Sequence, residues 1–376
     1  MLRAMNTFGE LLHYCRAGFE GECAQEAATL ATPVAADRGS GFVVARLPTA
    51  LDDAAADALA DWRRAIFARQ RLPVFACLES LPRSDRLGPI LAALRARGER
   101  FQDAWVEAPD SDEGKELAAF CRSFGNALIG ALKKERLLEA TGRSPSAPKA
   151  TDGREGPAEN GRGPRPRRLH AFFPQGDKVY LASTDPAASA PWPQGIPRLK
   201  FPREAPSRST LKLEEALLVL LNNDERERWL KPGMTAVDLG ASPGGWTWQL
   251  VRRSLRVTAV DNGPMDRGLM QYGLVTHLRA DGFRFQPKKG VEWMVCDMVE
   301  QPRRVAELVA RWLGEGWCRR TIFNLKLPMK KRFEETRMCL MLIEDQLAAR
   351  GQRIELRARQ LYHDREEITA FARVLG

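Results

Sequence analysis

The sequence lacks the usual marks of a secreted, zinc-stapled or membrane protein. Its seven cysteines are Cys15, Cys23, Cys77, Cys121, Cys296, Cys318 and Cys339. The count is odd, and no CxxC pair or Cys/His cluster occurs. That argues against a disulfide framework and a structural zinc site, and no metal is expected. No apolar run exceeds six residues, as at Ala216–Leu221, far below the ~20 of a membrane span. The opening, MLRAMNTFGELLHYCRAGFEGE, has no apolar h-region and no small-residue cleavage site. The expected address is the cytoplasm, with no membrane partner.

What is present suits a multidomain globular protein. The chain has 376 residues, 44% of them apolar and 28% charged, consistent with two to three domains. Lys+Arg total 58 against Asp+Glu 48, a net charge of +10, which favours a polyanionic partner. Residues 143–168 break the pattern, with five Pro, four Gly and seven Lys/Arg against three Asp/Glu. Such a composition reads as a disordered basic insertion.

Before the insertion, short strand-like runs (Gly41–Leu47, Pro73–Cys77, Ala104–Val106) alternate with helical stretches at Leu51–Ala68, Asp85–Gly98 and Gly114–Leu138. This predicts α+β units. The last helix sets Leu117, Phe120, Cys121, Phe124, Leu128 and Leu132 on one face. Its other face carries Lys115, Arg122, Lys133, Lys134 and Arg136, a solvated surface or a phosphate-contacting one. His170–Phe173 and Lys178–Leu181 read as strands about a turn, followed by a boundary near residue 190. Strand-like runs at 235–239, 257–261, 292–297 and 321–327 then alternate with helices, the rhythm of a doubly wound α/β sheet.

The most informative stretch is TAVDLGASPGGWTWQLV, Thr235–Val251. A buried strand enters a small-residue turn, and a helix leaves it. Asp261 ends the next strand, where an acidic residue accepts hydrogen bonds from a ribose diol. The loop spells DxGxxPGG rather than GxGxxG. This favours S-adenosylmethionine, which has no pyrophosphate to cradle, over a nicotinamide dinucleotide. Asp281, in RADGF, is placed either to reach the adenine amino group or to cap a helix.

The methyl acceptor follows from other residues. No Asn/Asp-Pro-Pro-aromatic motif of amino-group methylation occurs. Cys296 closes an apolar strand and reads as a buried thiol, not a nucleophile. Lys212 sits one step off the apolar stripe of SRSTLKLEEALLVLL, Asp297 ends a strand, and Lys326 interrupts the apolar run TIFNLKL. Glu366 lies in YHDREEITAFARV with Glu367 as its neighbour and competitor. In open parallel sheets, ligands bind outside the carboxyl ends of strands, where a lysine in an apolar run is costly unless used.

With these residues in place, the chain resembles the FtsJ-like ribose 2′-O-methyltransferases. More closely, GIPRLKFPREAPSRSTLKLEEA, VDLGASPGGWT, VDNGPM, WMVCDMVE, FNLKLPMKKR and ARQLYHDREE resemble the RlmM family of bacterial 23S ribosomal RNA cytidine 2′-O-methyltransferases. The pieces CRAGFEGE, IFARQ and KELAAFCRSF are similar to that family too. The resemblance covers nearly the whole chain outside 143–168. It implies a ferredoxin-like region (1–75), a THUMP RNA-binding domain (76–190) and a Rossmann-like methyltransferase domain (191–376). It further implies that Ser209, Ser242, Pro243, Gly244, Gly245, Asp261, Asp281 and Asp297 line the cofactor, S-adenosylmethionine. Lys326 is the implied proton acceptor, with Lys212, Asp297 and Glu366 completing the tetrad. One departure is Ser242, where the family commonly has Cys; both are small. The implied substrate is a cytidine of 23S ribosomal RNA in the peptidyl-transferase region, methylated by a monomer before large-subunit assembly.

Methyl transfer to a hydroxyl requires positioning and deprotonation. A lysine base must be neutral, and its reference pKa is about 10.4. Lys212 and burial are expected to lower the value at Lys326, while Asp297 raises it. The alternative reading, an RNA-binding assembly factor without chemistry, predicts loss of Lys326 or of the glycine loop, and both are present.

Overall fold

Alternation of apolar and polar residues builds two seven-stranded sheets, one in each of two compact units, Met1–Pro197 and Arg198–Gly376. The computed structural model describes residues 7–139 and 167–375. The first 24 positions of the predicted basic insertion lie outside the described residues. Among the described residues, no helix is long and apolar enough to cross a membrane.

The first unit runs β1 (Phe8–Tyr14), α1 (Glu20–Ala27), β2 (Thr32–Ala35), β3 (Phe42–Leu51), α2 (Asp53–Ala60), β4 (Gln70–Leu78), α3 (Leu87–Arg97), β5 (Phe101–Glu107), α4 (Asp112–Glu116), α5 (Ala118–Lys134), β6 (Arg167–Gln175) and β7 (Lys178–Thr184). The strand order is β2-β3-β1-β4-β7-β6-β5, antiparallel except for the pair β5–β6. Period-2 patterning puts Leu12 and Tyr14, Leu72 and Val74, and Tyr180 and Ala182 into one apolar cluster. The amphipathic α5 buries Cys121, Leu128 and Leu132, leaving Arg122, Lys133, Lys134 and Arg136 exposed. The expected division after residue 75 falls inside β4, which pairs with β1 on one side and β7 on the other.

Two segments of this unit differ from the sequence expectation. The helix expected over Leu51–Ala68 ends at Ala60, and the chain re-enters the sheet at Gln70. The insertion was expected to run through residue 168, yet Arg167 and Arg168 open β6. Arg167 meets Asp57 at 2.6 and 2.8 Å. Arg168 meets Asp103 at 2.9 Å and lies over the Trp105 ring at 3.8 Å. Composition alone cannot show that two arginines following a Pro-rich run will find half-buried carboxylates.

The second unit runs α6 (Thr210–Leu220), α7 (Asn223–Trp229), β8 (Thr235–Leu239), α8 (Gly245–Val251), β9 (Arg256–Val260), α9 (Arg267–Met270), β10 (Val275–Leu278), β11 (Val291–Cys296), α10 (Pro302–Gly314), β12 (Cys318–Lys326), α11 (Arg332–Ala348), β13 (Arg353–Arg359) and β14 (Glu367–Leu375). The strand order is β10-β9-β8-β11-β12-β14-β13. The five strands β8 to β12 are parallel, and β14 inserts antiparallel between β12 and β13. This is a Rossmann-like sheet of mixed α/β class. Strand order reverses between β8 and β11, and such a switch point opens a crevice at the carboxyl ends of the strands.

Candidate active site

The loop after β8 owes its path to two glycines. Gly244 has φ +117°, and a Cβ there would lie 2.3 Å from Leu269 Cδ2. A Cβ on Gly245 would lie 2.3 Å from Ser209 Oγ and 2.4 Å from Ser207 Oγ. Hydrogen in place of a side chain therefore lets the start of α6 close on the loop. The Ser242–Pro243 peptide is cis. Ser207, Ser209, Asp238, Gly240, Ala241, Ser242, Pro243, Trp246 and Asp297 line a cavity of about 270 Å³.

Asp238 gives this cavity its chemistry. The residue is buried, and its Oδ2 accepts from Thr247 Oγ1 at 2.6 Å. Its Oδ1 has no hydrogen-bond partner. Burial pushes its carboxyl up to about 7, and the charges of Asp297 and Asp261 add to that, against the Thr247 hydrogen bonds. A buried carboxylate oxygen left without a donor fits a ligand with a cationic or N–H group.

The other loop residues divide. Ser209, Ser242, Pro243 and Asp297 line the cavity, whereas Gly244, Gly245, Asp261 and Asp281 are not among its walls. Asp261 ties the loop together, accepting from Ser242 N at 3.0 Å and Gly263 N at 2.6 Å. Asp281 accepts from Phe283 N at 2.8 Å in a local turn and lies 3.6 Å from Arg284. Ser207, Asp238, Gly240, Ala241 and Trp246 line the cavity without having been singled out as cofactor residues in the sequence. Their signal was proximity to residues already singled out.

Next to the cavity, four charged side chains from four segments converge. Asp297, just after β11, meets Lys326 Nζ at the end of β12 at 2.8 Å. Lys212 of α6 lies 3.5 Å from the other Asp297 oxygen. Glu367, the first residue of β14, bonds both lysines. The carboxylate of the cluster is thus Glu367, not Glu366. Glu366 points elsewhere, to Arg332, with its side chain 60% exposed. The register decides the matter. Lys326 and Glu367 are direct cross-strand partners, so their side chains share a face and that of Glu366 takes the other.

The expected depression of the Lys326 pKa is also corrected. Burial lowers it, but the carboxylates of Asp297 and Glu367 outweigh burial and hold the ammonium above the ordinary lysine range. In this state Lys326 is a paired cation. The sequence expectation set Asp297 alone against burial and Lys212, whereas in the fold Glu367 raises the value as well.

A second group of residues positions these four. Asn324 Nδ2 donates to Asp297 at 2.7 Å. Buried Glu215 of α6 accepts from the backbone N–H groups of Tyr362 and His363 at 2.8 and 2.9 Å, fixing the approach to β14. Both were missed, because each reads in sequence as an ordinary polar residue in an apolar element.

Comparison with known proteins decides the family. A ribosomal RNA large subunit methyltransferase M from Xanthomonas oryzae pv. oryzae (strain PXO99A) is 54% identical over 369 residues, 96% of this chain and 98% of that protein. The chain belongs to the ribosomal RNA large subunit methyltransferase M family. The protein of the same name from Xanthomonas campestris pv. campestris (strain B100) is 53% identical over the same shares. Residues 205–353 match the FtsJ-like methyltransferases. Residues 8–72 match the RlmM ferredoxin-like domain, and residues 85–148 the N-terminal region of ribosomal RNA large subunit methyltransferase M. In this methyltransferase M fold, the FtsJ-like match holds Lys212, Asp297 and Lys326, while Glu367 lies beyond its end.

Proposed function

We propose that this methyltransferase transfers the methyl group of S-adenosylmethionine to the ribose 2′-hydroxyl of a cytidine in 23S ribosomal RNA, acting as a cytoplasmic monomer before large-subunit assembly. The observation that carries this reading is the Lys212–Asp297–Lys326–Glu367 cluster, set against a cavity whose buried Asp238 has an oxygen free for a cation. S-adenosylmethionine, when bound, supplies a methyl group already activated on a sulfonium. Asp238, Ser207, Ser209, Ser242 and Asp297 are the residues that would hold it, and Asp261 would accept from its ribose hydroxyls.

The protein's own task is to orient a weakly acidic hydroxyl and take its proton. Lys326 Nζ is the acceptor in this reading. Lys212 holds the acceptor oxygen's developing charge, and Asp297 and Glu367 fix both amines. With a cation held in the cavity, the Asp297 charge is shared between that cation and Lys326. Lys326 then releases its proton more readily than in the ligand-free protein. The ferredoxin-like region and a THUMP domain in the first unit would bind the RNA through phosphate contacts.

The test is a map of ribose methylation across 23S ribosomal RNA from cells with the gene, without it, and complemented with Lys326→Ala. One cytidine should lose its 2′-O-methyl in the second and third. A complete map in the deleted strain would refute the substrate.

A further inference from the structure

Lys326 and Asn324 are two residues apart on β12, and Glu367 and Thr369 are two apart on β14. The register pairs Lys326 with Glu367 and Asn324 with Thr369. All four therefore stand on one face of the sheet, as two successive cross-strand pairs. The second pair is fully buried, and so is Asp364, in the turn leading into β14.

These groups form an unbroken chain of contacts. Asn324 Nδ2 donates to Asp297 Oδ1 at 2.7 Å. Asn324 Oδ1 accepts from Thr369 Oγ1 at 2.6 Å. Thr369 Oγ1 lies 3.1 and 3.0 Å from the two Asp364 oxygens. Asp364 Oδ2 also accepts from Leu361 N at 3.0 Å.

We propose that Asn324, oriented by Thr369 and Asp364, is a positioning residue that fixes the Asp297 carboxylate between Lys326 and Lys212. The inference rests on the reading of Lys326 as the proton acceptor.

The donor and acceptor capacity of each group sets the direction of each hydrogen bond. An amide turned by 180° would present its oxygen to Asp297 and repel it. Only a donor at Thr369 holds the amide the right way round, and a threonine hydroxyl has one proton to give. If that proton goes to Asn324, the bond between Thr369 and Asp364 must be donated by Asp364. A carboxylic acid can do so and a carboxylate cannot. Burial, then the Glu367 charge and, more weakly, that of Glu215, pushes the Asp364 carboxyl well above the usual range, against the Leu361 N–H bond and a smaller effect of Lys212. The chain thus runs donor to acceptor from Asp364 through Thr369 and Asn324 to Asp297.

The test uses the full-length enzyme with S-adenosylmethionine and 23S ribosomal RNA. Thr369→Val keeps the volume and removes the hydroxyl, and Asn324→Leu removes the amide. Each should lower kcat about 10- to 100-fold, leave KM for RNA and Kd for S-adenosylmethionine within about threefold, and move the ascending limb of the pH–rate profile to lower pH. The limb moves because a loosened Asp297 holds less charge against Lys326. Asp364→Asn, which keeps a donor, should retain at least about tenfold more activity than Asp364→Leu. A wild-type kcat and pH profile for Thr369→Val, beside an inactive Lys326→Ala, would overturn the positioning role. If Asn324→Leu does not fold, Thr369→Val alone decides. An active Lys326→Ala would overturn the base assignment instead, so the two failures are distinct.

Discussion

Lys326 and Glu367 face each other directly across the β12–β14 ladder, and Glu367 also bonds Lys212. One carboxylate therefore bridges two ammonium groups on different elements. Removing it leaves two half-buried lysines beside each other with only Asp297 between them. Glu367→Gln is expected to lower kcat by about 100-fold or more, in line with losses of positioning groups. Glu366→Gln should stay within about twofold, since Glu366 is largely exposed and bonds Arg332. A single-turnover assay on both variants checks this. The opposite ranking would return the role to Glu366.

The pairing of Lys326 sets the sign of the pH dependence. Asp297 and Glu367 hold its pKa up against burial, and only the neutral amine accepts a proton. The rate should rise with pH. Asp297→Asn removes one of the two raising charges, so the ascending limb should move to lower pH even as kcat falls. A limb that stays in place would remove Lys326 from the titrating step.

Asp238 makes a separate prediction about binding. Its carboxyl is pushed up to about 7 by burial, well above the ~3.9 of an unfolded chain. Its protonated form stabilises the ligand-free protein fully below about pH 4, and that contribution is lost as pH rises through about 7. A cationic ligand needs the ionised form. S-adenosylmethionine should bind about tenfold tighter at about pH 8 than at about pH 6, as the ionised fraction grows by that factor. Calorimetry in buffers of different ionisation enthalpy should show a proton released on binding near pH 6. Asp238→Asn should abolish both effects.

Gly245→Ala tests the close approach of α6 to the loop. The added methyl would meet Ser207 Oγ, Ser209 Oγ and, at 3.1 Å, the Thr210 backbone nitrogen. A clash of that kind costs about 1–3 kcal/mol. The Tm should fall and S-adenosylmethionine binding should weaken, because both serines line the cavity. An unchanged Tm would show that the start of α6 yields freely.

Arg168→Ala removes one partner of a largely buried ion pair with Asp103, together with its stacking on Trp105. The expected loss is about 3–5 kcal/mol of stability, measured by denaturant unfolding. A loss below about 0.5 kcal/mol would restore the linker reading of residues 167–168.

The parts of this fold that were legible in sequence are those written in local periodicity. The strand Thr235–Leu239 coincides with β8, and Lys326 stood out because an apolar strand ended on a charge. Glu366 and Glu367 could not be told apart, since the choice depends on which residue pairs with Lys326 in a strand 41 positions away. Register of that kind is a tertiary property. Asn324 and Thr369 were unreadable for the same reason: each acquires meaning only from the residue opposite. The protonation of Lys326 was misjudged because its sign depends on how many carboxylates the fold delivers, and spacing along the chain does not count them.

The position of β14 has a consequence for durability. The sheet ends not on β14 but on β13, which carries none of the four clustered residues. Edge strands fray first and invite pairing with other chains. Here the edge strand is RIELRAR, in which Arg353, Glu355, Arg357 and Arg359 place a charge at every second position, from exposed Arg353 to buried Arg359. Arg357 is tied to Glu225 of α7, and Arg373 of β14 to Glu355. Breathing of the sheet margin is expected to fall on this charge-studded strand rather than on β14. Backbone amides of β13 should trade protons for deuterons well before those of β14, and Glu367 keeps its alignment while the margin opens and closes beside it.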